Sequence, residues 1–136
     1  MNILVIDGQG GQLGCQLIRT LRERFPALSI TAVGTNSTAS AAMLKAGADR
    51  AATGENPVVV ACRRADVILG PIGIVVADAL CGEVTPAMAC AVGQAQAQRI
   101  LLPMQKCDTL VAGVTALSTA ALVEDAADRL AALLRR

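Results

Sequence analysis

The chain has 136 residues but no histidine, tryptophan or tyrosine, and its only aromatic residue is Phe25. Without histidine, Ser-His-Asp and Cys-His catalysis and most catalytic zinc sites are excluded. Without tyrosine, the chain cannot form the tyrosine and lysine pair of short-chain dehydrogenases. A single aromatic ring also excludes stacking on successive bases of single-stranded nucleic acid. The phosphate-binding motif G-x-x-x-x-G-K-[ST] is absent, so kinase-like phosphate handling is not expected.

A strong charge of either sign is also missing, since 12 basic and 11 acidic residues leave a formal charge of +1. We therefore expect no nucleic acid and no anionic membrane surface as a partner. The longest apolar run, between Asp66 and Asp78, is shorter than the ~18 residues that a membrane span needs. No basic residue precedes the N-terminal apolar run, as it would in a secretion signal. These absences predict a cytoplasmic protein.

The five cysteines form an odd set without C-x-x-C spacing. With no histidine to complete a ligand set, they predict no metal site. Reduced thiols that pack inside the fold are the expected state in the cytoplasm.

Hydrophobic residues make up 54% of the chain, which predicts one domain over residues 1–136 with a core of Ala, Val, Leu and Ile. Short apolar runs predict strands at 2–6, 28–33, 50–53, 67–69, 100–102 and 110–114. Amphipathic or capped segments predict helices at 11–25, 37–45, 57–64, 74–80, 86–98 and 118–133, although 58–60 also fits a strand. This alternation predicts an α/β fold: a three-layer, Rossmann-like domain whose mainly parallel sheet of five to six strands has helices on both faces.

In such a sheet, ligands bind beyond the carboxyl ends of the strands, so the loops that follow the strands hold the candidate binding residues. These are Gly8, Gln9, Gly10, Gly11, Gln12 and Gly14 after the first strand; Thr35, Asn36 and Ser37 after the second; Gly54, Glu55 and Asn56 after the third; and Gly70, Pro71 and Gly73 after the fourth. We expect these loops to share one cleft, lined by Gly10, Asn36, Glu55, Gly73 and Lys106.

The first of these loops has glycines in the spacing G-x-x-G-x-x-G, at Gly8, Gly11 and Gly14, directly after a strand and at the start of a helix. Glycine lets the backbone approach a phosphate, and the free N–H groups of a helix start favour an anion. The spacing therefore predicts phosphate or nucleotide binding. The alternative is a tight turn that allows close packing of the helix on the sheet. Asp7 is expected to accept hydrogen bonds from N–H groups of this loop.

The second strand ends in Gly34, Thr35, Asn36 and Ser37, without the acidic residue that usually holds the ribose of NAD. An arginine for the phosphate of NADP is missing as well. NAD(P) is therefore one candidate cofactor among nucleotides, and neither form is specified. The polar side chains here could bind a sugar or phosphate, or they could form a turn and a helix cap.

Glu55, Glu83 and Lys106 are the candidate catalytic residues, because acids and lysines are the proton-transfer groups that remain. Each has a plainer interpretation: Glu55 and Glu83 precede helices, where a carboxylate complements the dipole, and Lys106 could be solvated. Cys107 beside Lys106 is a weaker candidate as a nucleophile. Whether the protein is an enzyme stays undecided from the sequence.

Five segments that span most of the chain resemble a family of small bacterial proteins known as a domain of unknown function. They are DGQGGQLG (7–14), AVGTNSTASAAMLKAGAD (32–49), TGEN (53–56), ADVILGPIGIV (65–75) and GEVTPAMA (82–89). The resemblance supports the fold and implies no activity, substrate or catalytic residue. The first loop also resembles that of NAD-binding Rossmann proteins, and the missing acid after the second strand is the departure from their pattern.

Together these observations predict a protein that binds a nucleotide, a dinucleotide or another phosphorylated small molecule at the strand ends. One alternative is a small oligomeric interaction protein whose glycines are structural. Another is a small enzyme that uses Glu55, Glu83 or Lys106. A homodimer is expected, because the segment 72–80 and the alanine-rich segment 87–97 are more apolar than a solvent-facing surface requires. The alternative is that these residues only pack on the sheet.

Overall fold

In the computed structural model, which describes residues 1–104 and 108–136, five strands form one parallel sheet. The strands are β1 (Asn2–Asp7), β2 (Ser29–Gly34), β3 (Arg50–Thr53), β4 (Val67–Pro71) and β5 (Gln98–Leu102). Their order across the sheet is β3-β2-β1-β4-β5, and every neighbouring pair is parallel. β1 is therefore central, with Ile6 opposite Val33 of β2 and Val5 opposite Leu69 of β4.

The helices are α1 (Gln12–Arg24), α2 (Ser37–Ala46), α3 (Glu55–Arg64), α4 (Pro86–Gln94) and α5 (Thr119–Leu134), with one 3-10 turn over Ile72–Val75. α1, α2 and α5 cover one face of the sheet, and α3 and α4 cover the other. Because side chains alternate along a strand, Ile3 and Val5 enter the first core, whereas Leu4 and Ile6 enter the second. The predicted parallel sheet with helices on both faces is confirmed. None of the helices in the described ranges is long and apolar enough to cross a membrane.

The chain changes direction across the sheet between β1 and β4. From β1 it moves outward through β2 to β3, and α3 then returns it over the opposite face to β4, with β5 beyond. The loops that leave the carboxyl ends of β1 and β4 diverge, which opens a crevice between them. Ligands of open parallel sheets bind in such a crevice, so this edge is the first place to look for a site.

The predicted strand at 110–114 was wrong, because this segment lies outside the sheet. Leu110 is 90% exposed, Gly113 has a φ of 82°, and the N–H of Val114 donates to the carbonyl of Val111 at 3.4 Å, which makes a turn. A short apolar run indicates a strand only when neighbouring elements cover it. In the described residues the sheet ends at β5, and nothing pairs with the run.

The predicted helix at 74–80 was also wrong. The 3-10 turn ends at Val75, and a series of turns follows, in which Asp78, Leu80 and Cys81 have φ values of 67°, 56° and 57°. The N–H of Asp78 donates to the carbonyl of Val84 at 2.7 Å, which closes these turns into a compact loop. The apolar run 74–80 predicted a helix because it contains no sign of the hydrogen bond to Val84, a residue beyond the run, that holds its backbone in turns.

Two helix ends also differ from their predicted positions. α3 begins at Glu55 rather than Pro57, since Gly54 is the cap with a φ of 102°, and 58–60 is helical. α4 ends at Gln94 rather than 98, because Ala95 turns to an extended conformation and β5 begins at Gln98.

Candidate functional site

Asp7 holds the glycine loop from inside the fold. Its side chain, 6% exposed, accepts hydrogen bonds from the N–H of Gly8 to Oδ1 at 2.8 Å and from the N–H of Gly14 to Oδ2 at 2.7 Å. Burial raises the pKa of this carboxyl, and the two N–H groups offset only part of that effect. The predicted role of Asp7 as the acceptor for loop N–H groups is confirmed.

Close packing of α1 on α2 explains two of the loop's glycines. Gly11 has a φ of 73°, and a Cβ placed on it would lie 2.9 Å from the Cα of Ala39 in α2. A Cβ on Gly14 would lie 2.5 Å from the sulfur of Met43. Gly10 is different, because the nearest atom to its Cβ would be 3.9 Å away, in the side chain of Gln12. The structural interpretation therefore applies to Gly11 and Gly14, whereas Gly10 keeps a loop surface open.

The N–H groups of Gly10, Gln12 and Leu13 have no hydrogen-bond acceptor among the described residues. The other N–H groups of the loop are taken: those of Gly8 and Gly14 by Asp7, that of Gln9 by Glu83, and that of Gly11 by the carbonyl of Gly8. Gly11 caps α1 without any side-chain hydrogen bond. The start of α1 therefore presents free donors and the positive end of the helix dipole.

These donors lie at a cleft of about 350 Å³ between the carboxyl ends of β1, β4 and β5. The cleft is at the crevice where the strand order reverses, and α5 begins at its far side. It is lined by Asp7, Gly8, Gln9, Gly10, Gly11, Gln12, Leu13, Gln16, Pro71, Leu80, Met104 and Thr119. Asp7 is the only ionisable residue among these described ones, so an anion here would depend on N–H groups rather than on a basic side chain.

Glu83 closes the opposite side of the glycine loop. Its Oε1 accepts from the N–H of Gln9 at 2.9 Å, from Oγ1 of Thr35 at 2.6 Å and from Nδ2 of Asn36 at 2.7 Å. Burial by itself would raise the pKa of Glu83, but these hydrogen bonds outweigh it and leave that pKa below its usual value. An ionised carboxylate thus joins three loops that are far apart in the sequence.

The polar residues after β2 therefore have internal partners. Asn36 caps α2 by accepting from the N–H of Ala39 at 2.9 Å, and its Nδ2 also donates to the carbonyl of Gln9 at 2.9 Å. Thr35 donates to Glu83, and Ser37 is the exposed first residue of α2. Of the two interpretations left open by the sequence, the turn and helix cap is the one observed in this structure.

Glu55 and Asn56 are not among the described residues that line the cleft. Oε1 of Glu55 accepts from Oγ1 of Thr85 at 2.6 Å, which ties the start of α3 to the start of α4. Asn56 lines a separate groove of about 380 Å³ between α3 and the sheet, which Arg50 and Arg64 also line. The third loop therefore does not join the glycine loop.

The expected common cleft is formed only in part. Gly10 lines it, whereas Asn36, Glu55 and Gly73 are not among its described lining residues. Gly73 lies in the 3-10 turn after β4, and a Cβ on Gly70 would collide with the carbonyl of Ile6, so Gly70 serves strand packing. Pro71 does line the cleft. Lys106 and Cys107 lie outside the described residues.

Sequence reasoning did not include five residues of the cleft among the candidate binding residues: Leu13, Gln16, Leu80, Met104 and Thr119. Gln16 lies one helical turn after Gln12, so its i, i+4 spacing on α1 was a signal that could have found it. Leu80 and Thr119 come from segments whose position depends on tertiary contacts, and no local pattern marks them.

A search of solved structures found a crystal structure described as a dodecameric FMN-dependent UbiX-like decarboxylase from Escherichia coli O157:H7. It is 14% identical in sequence, with a TM-score of 0.46, and the match covers 100% of this chain and 95% of that one. FMN dependence and decarboxylation are statements about that protein alone. The search of curated proteins found no match. A family profile matches residues 2–135, and the chain therefore belongs to the family described as Domain of unknown function (DUF3842).

Proposed function

We propose that the protein binds a nucleotide or another phosphorylated small molecule in the cleft at the start of α1. The observation that carries this proposal is the set of three N–H groups, on Gly10, Gln12 and Leu13, that have no acceptor among the described residues. Backbone N–H groups at a helix start are a recurrent phosphate site, and here they lie at the crevice between β1 and β4. The described lining residues supply no basic side chain, so N–H groups and the dipole of α1 would hold the phosphate.

The rest of the cleft suits the uncharged part of such a ligand. Pro71, Leu80 and Met104 supply apolar surface, and Gln16 supplies an amide that can both donate and accept a hydrogen bond. Catalysis by Glu83 or Glu55 is not part of this proposal, because one oxygen of each carboxylate is already held by a threonine hydroxyl.

Gly10→Val tests the site, because its side chain would cover the free N–H groups without meeting other parts of the fold. We expect wild type to show a thermal shift with at least one member of a panel of nucleoside monophosphates, flavin mononucleotide and sugar phosphates. In Gly10→Val we expect affinity for that compound to fall by about tenfold or more. Gly93→Val is the matched control, because a Cβ on Gly93 also meets nothing within 4 Å, and Gly93 is in α4.

Failure of the whole panel to bind wild type would reject the proposal, as would equal affinity in Gly10→Val. Gly11→Val would be a poor test, because a side chain at Gly11 would collide with α2.

We also propose that the protein forms a homodimer. Four of the six exposed large apolar residues in the described part of the chain lie in one short segment between β5 and α5: Leu110, Val111, Val114 and Leu117. No charged residue occurs between Asp108 and Glu124. Concentrated apolar surface of this kind usually marks a contact site, and twofold pairing is the commonest way to cover it. The mass measured by light scattering at micromolar concentration tests this proposal.

A further inference from the structure

The loop between β4 and α4 crosses over the glycine loop and reaches the end of β2. Oε1 of Glu83 is held there by Thr35 and Asn36, and it also accepts from the N–H of Gln9. Leu80 adds an apolar cover, since a Cβ on Gly8 would lie 2.9 Å from Cδ1 of Leu80. The side of the glycine loop that faces β2 is therefore closed by this chain's own side chains.

Backbone conformation shows that this covering loop is tightly held. Of the five described non-glycine residues with positive φ, four belong to the covering loop or to the glycine loop beneath it: Gln9, Asp78, Leu80 and Cys81. Such conformations are unfavourable for L-residues and persist only where surrounding contacts impose them. The contacts that impose them here include the hydrogen bond from Gln9 to Glu83 and the bond from Asp78 to the carbonyl of Val84.

We infer that Glu83 is a specificity-determining residue that limits the ligand to mononucleotide length. This inference rests on the proposed function. A dinucleotide bound to a sheet of this class extends from the glycine loop to the end of β2, where polar side chains receive its ribose. In this chain the donors at that position, on Gln9, Thr35 and Asn36, already bind the Glu83 carboxylate. Among the described residues, the cleft of about 350 Å³ that the glycine loop lines lies on the β4 side of the loop.

Electrostatic repulsion by Glu83 adds to the loss of space and donors at the end of β2. A phosphate on the ribose near the end of β2, as in NADP, would approach the ionised carboxylate of Glu83, and like charges brought together disfavour binding. A ribose without a phosphate is excluded there by the lack of space and of free donors and not by charge. A ligand with one phosphate at the start of α1 and its uncharged part between Pro71, Leu80 and Met104 avoids this contact.

The test compares mononucleotides with dinucleotides that contain them: AMP with NAD⁺, and FMN with FAD, each by isothermal titration calorimetry. In wild type we expect at least one mononucleotide to bind, and its dinucleotide to bind at least about tenfold more weakly. Glu83→Ala removes the carboxylate and frees three donors, so we expect that ratio to shrink. Leu80→Ala, which opens the same side without a change of charge, is expected to shrink it as well. Glu124→Ala is the control. Glu124 is an exposed residue of α5 whose carboxylate pairs with Arg24 at 3.3 Å, and its removal should leave the ratio at the wild-type value.

A wild-type protein that binds a dinucleotide as tightly as its mononucleotide half overturns the inference and leaves the proposed function standing. An unchanged ratio in folded Glu83→Ala and Leu80→Ala also overturns it. If Glu83→Ala does not fold, the affinity ratios measured for wild type and for Leu80→Ala decide whether the inference holds. If no mononucleotide binds wild type, the inference is overturned, and the proposed function fails as well only if no sugar phosphate of the panel binds.

Discussion

At the scale of single residues, Asp7 and Glu83 show how two carboxylates serve one loop in opposite ways. Asp7 is buried beneath the loop and its pKa is raised, whereas Glu83 lies above it, partly exposed, with its pKa lowered. The first is held by two backbone N–H groups, and the second by one N–H and two side chains. Desolvation outweighs the hydrogen bonds in setting the pKa of Asp7, whereas for Glu83 the three hydrogen bonds together outweigh desolvation.

Asp7→Asn tests the role of the buried carboxylate. An asparagine can accept one of the two N–H bonds, but its amide would face the second N–H with another donor, which leaves a buried donor unpaired. We expect a loss of about 1–3 kcal/mol in the free energy of unfolding, measured by urea denaturation. Unchanged stability at neutral pH would contradict the anchoring role.

The pH dependence of this loss has a definite sign. A carboxyl whose pKa is higher in the folded chain binds its proton more tightly there, so it favours folding as the pH falls through that folded pKa. Asp7 is such a group. Wild type should therefore gain stability relative to Asp7→Asn between pH 7 and the unperturbed value of 3.8, and the difference between the two proteins should widen.

At the scale of elements, the close approach of α1 and α2 depends on glycine. Gly14 faces Met43, which is fully buried, and the side chain of Asp7. This approach places the start of α1 beside the end of β1, so the same contact that packs two helices also positions the candidate phosphate donors. A glycine in a helix otherwise costs stability relative to alanine, so packing must account for its presence here.

We expect Gly14→Ala and Gly93→Ala to change the free energy of unfolding in opposite directions. In Gly14→Ala the new Cβ would lie 2.5 Å from Sδ of Met43, and we expect a loss of about 1–3 kcal/mol from overpacking. In Gly93→Ala, on an exposed part of α4, we expect a gain of about 0.5–1 kcal/mol from helix propensity. Thermal or urea unfolding measures both, and equal effects in the two variants would contradict the packing argument.

At the scale of the whole molecule, the sheet buries apolar residues on both faces, but residues 108–118 of the connection from β5 to α5 belong to neither core. Leu110 is 90% exposed and Leu117 is 52% exposed, whereas core residues such as Val5 and Leu17 are fully buried. This apolar segment adjoins the cleft, since Met104 and Thr119 line both the cleft and the groove beneath the segment. A partner on this surface would therefore lie next to the candidate ligand.

The dimer proposal predicts different effects for two substitutions. Leu110→Glu places a charge in the exposed segment and should shift a dimer toward monomer at micromolar concentration, as measured by sedimentation velocity. Ala91→Glu places a charge on α4, the helix that the sequence suggested as the interface, and should leave the dimer intact. Dissociation by Leu110→Glu alone would locate the contact at the segment between β5 and α5, and a monomeric wild type would reject the dimer.

The sequence by itself determined the local features. Continuous apolar runs predicted β1, β2, β4 and the last part of β5, because strands covered on both faces lack polar alternation. The edge strand β3 was predicted from the weaker segment 50–53. Asn36, Thr85 and Ser118 each cap a helix by accepting a hydrogen bond from the N–H three residues later, a contact within one turn that these residue types favour. The glycine loop and the role of Asp7 were predictable for the same reason, since their contacts lie within a few residues.

Only the tertiary structure decided which loops meet. Glu83 reaches Thr35 across 48 positions of sequence and Gln9 across 74, and no spacing rule marks such a contact. The order β3-β2-β1-β4-β5 puts the crevice between β1 and β4, which brings Leu80 and Thr119 to the cleft and leaves Glu55 outside it. The run at 110–114 resembles a strand but stays exposed, because no neighbouring element in the described structure covers it. Local patterns record what a residue prefers, whereas burial and partners depend on elements that are distant in the chain.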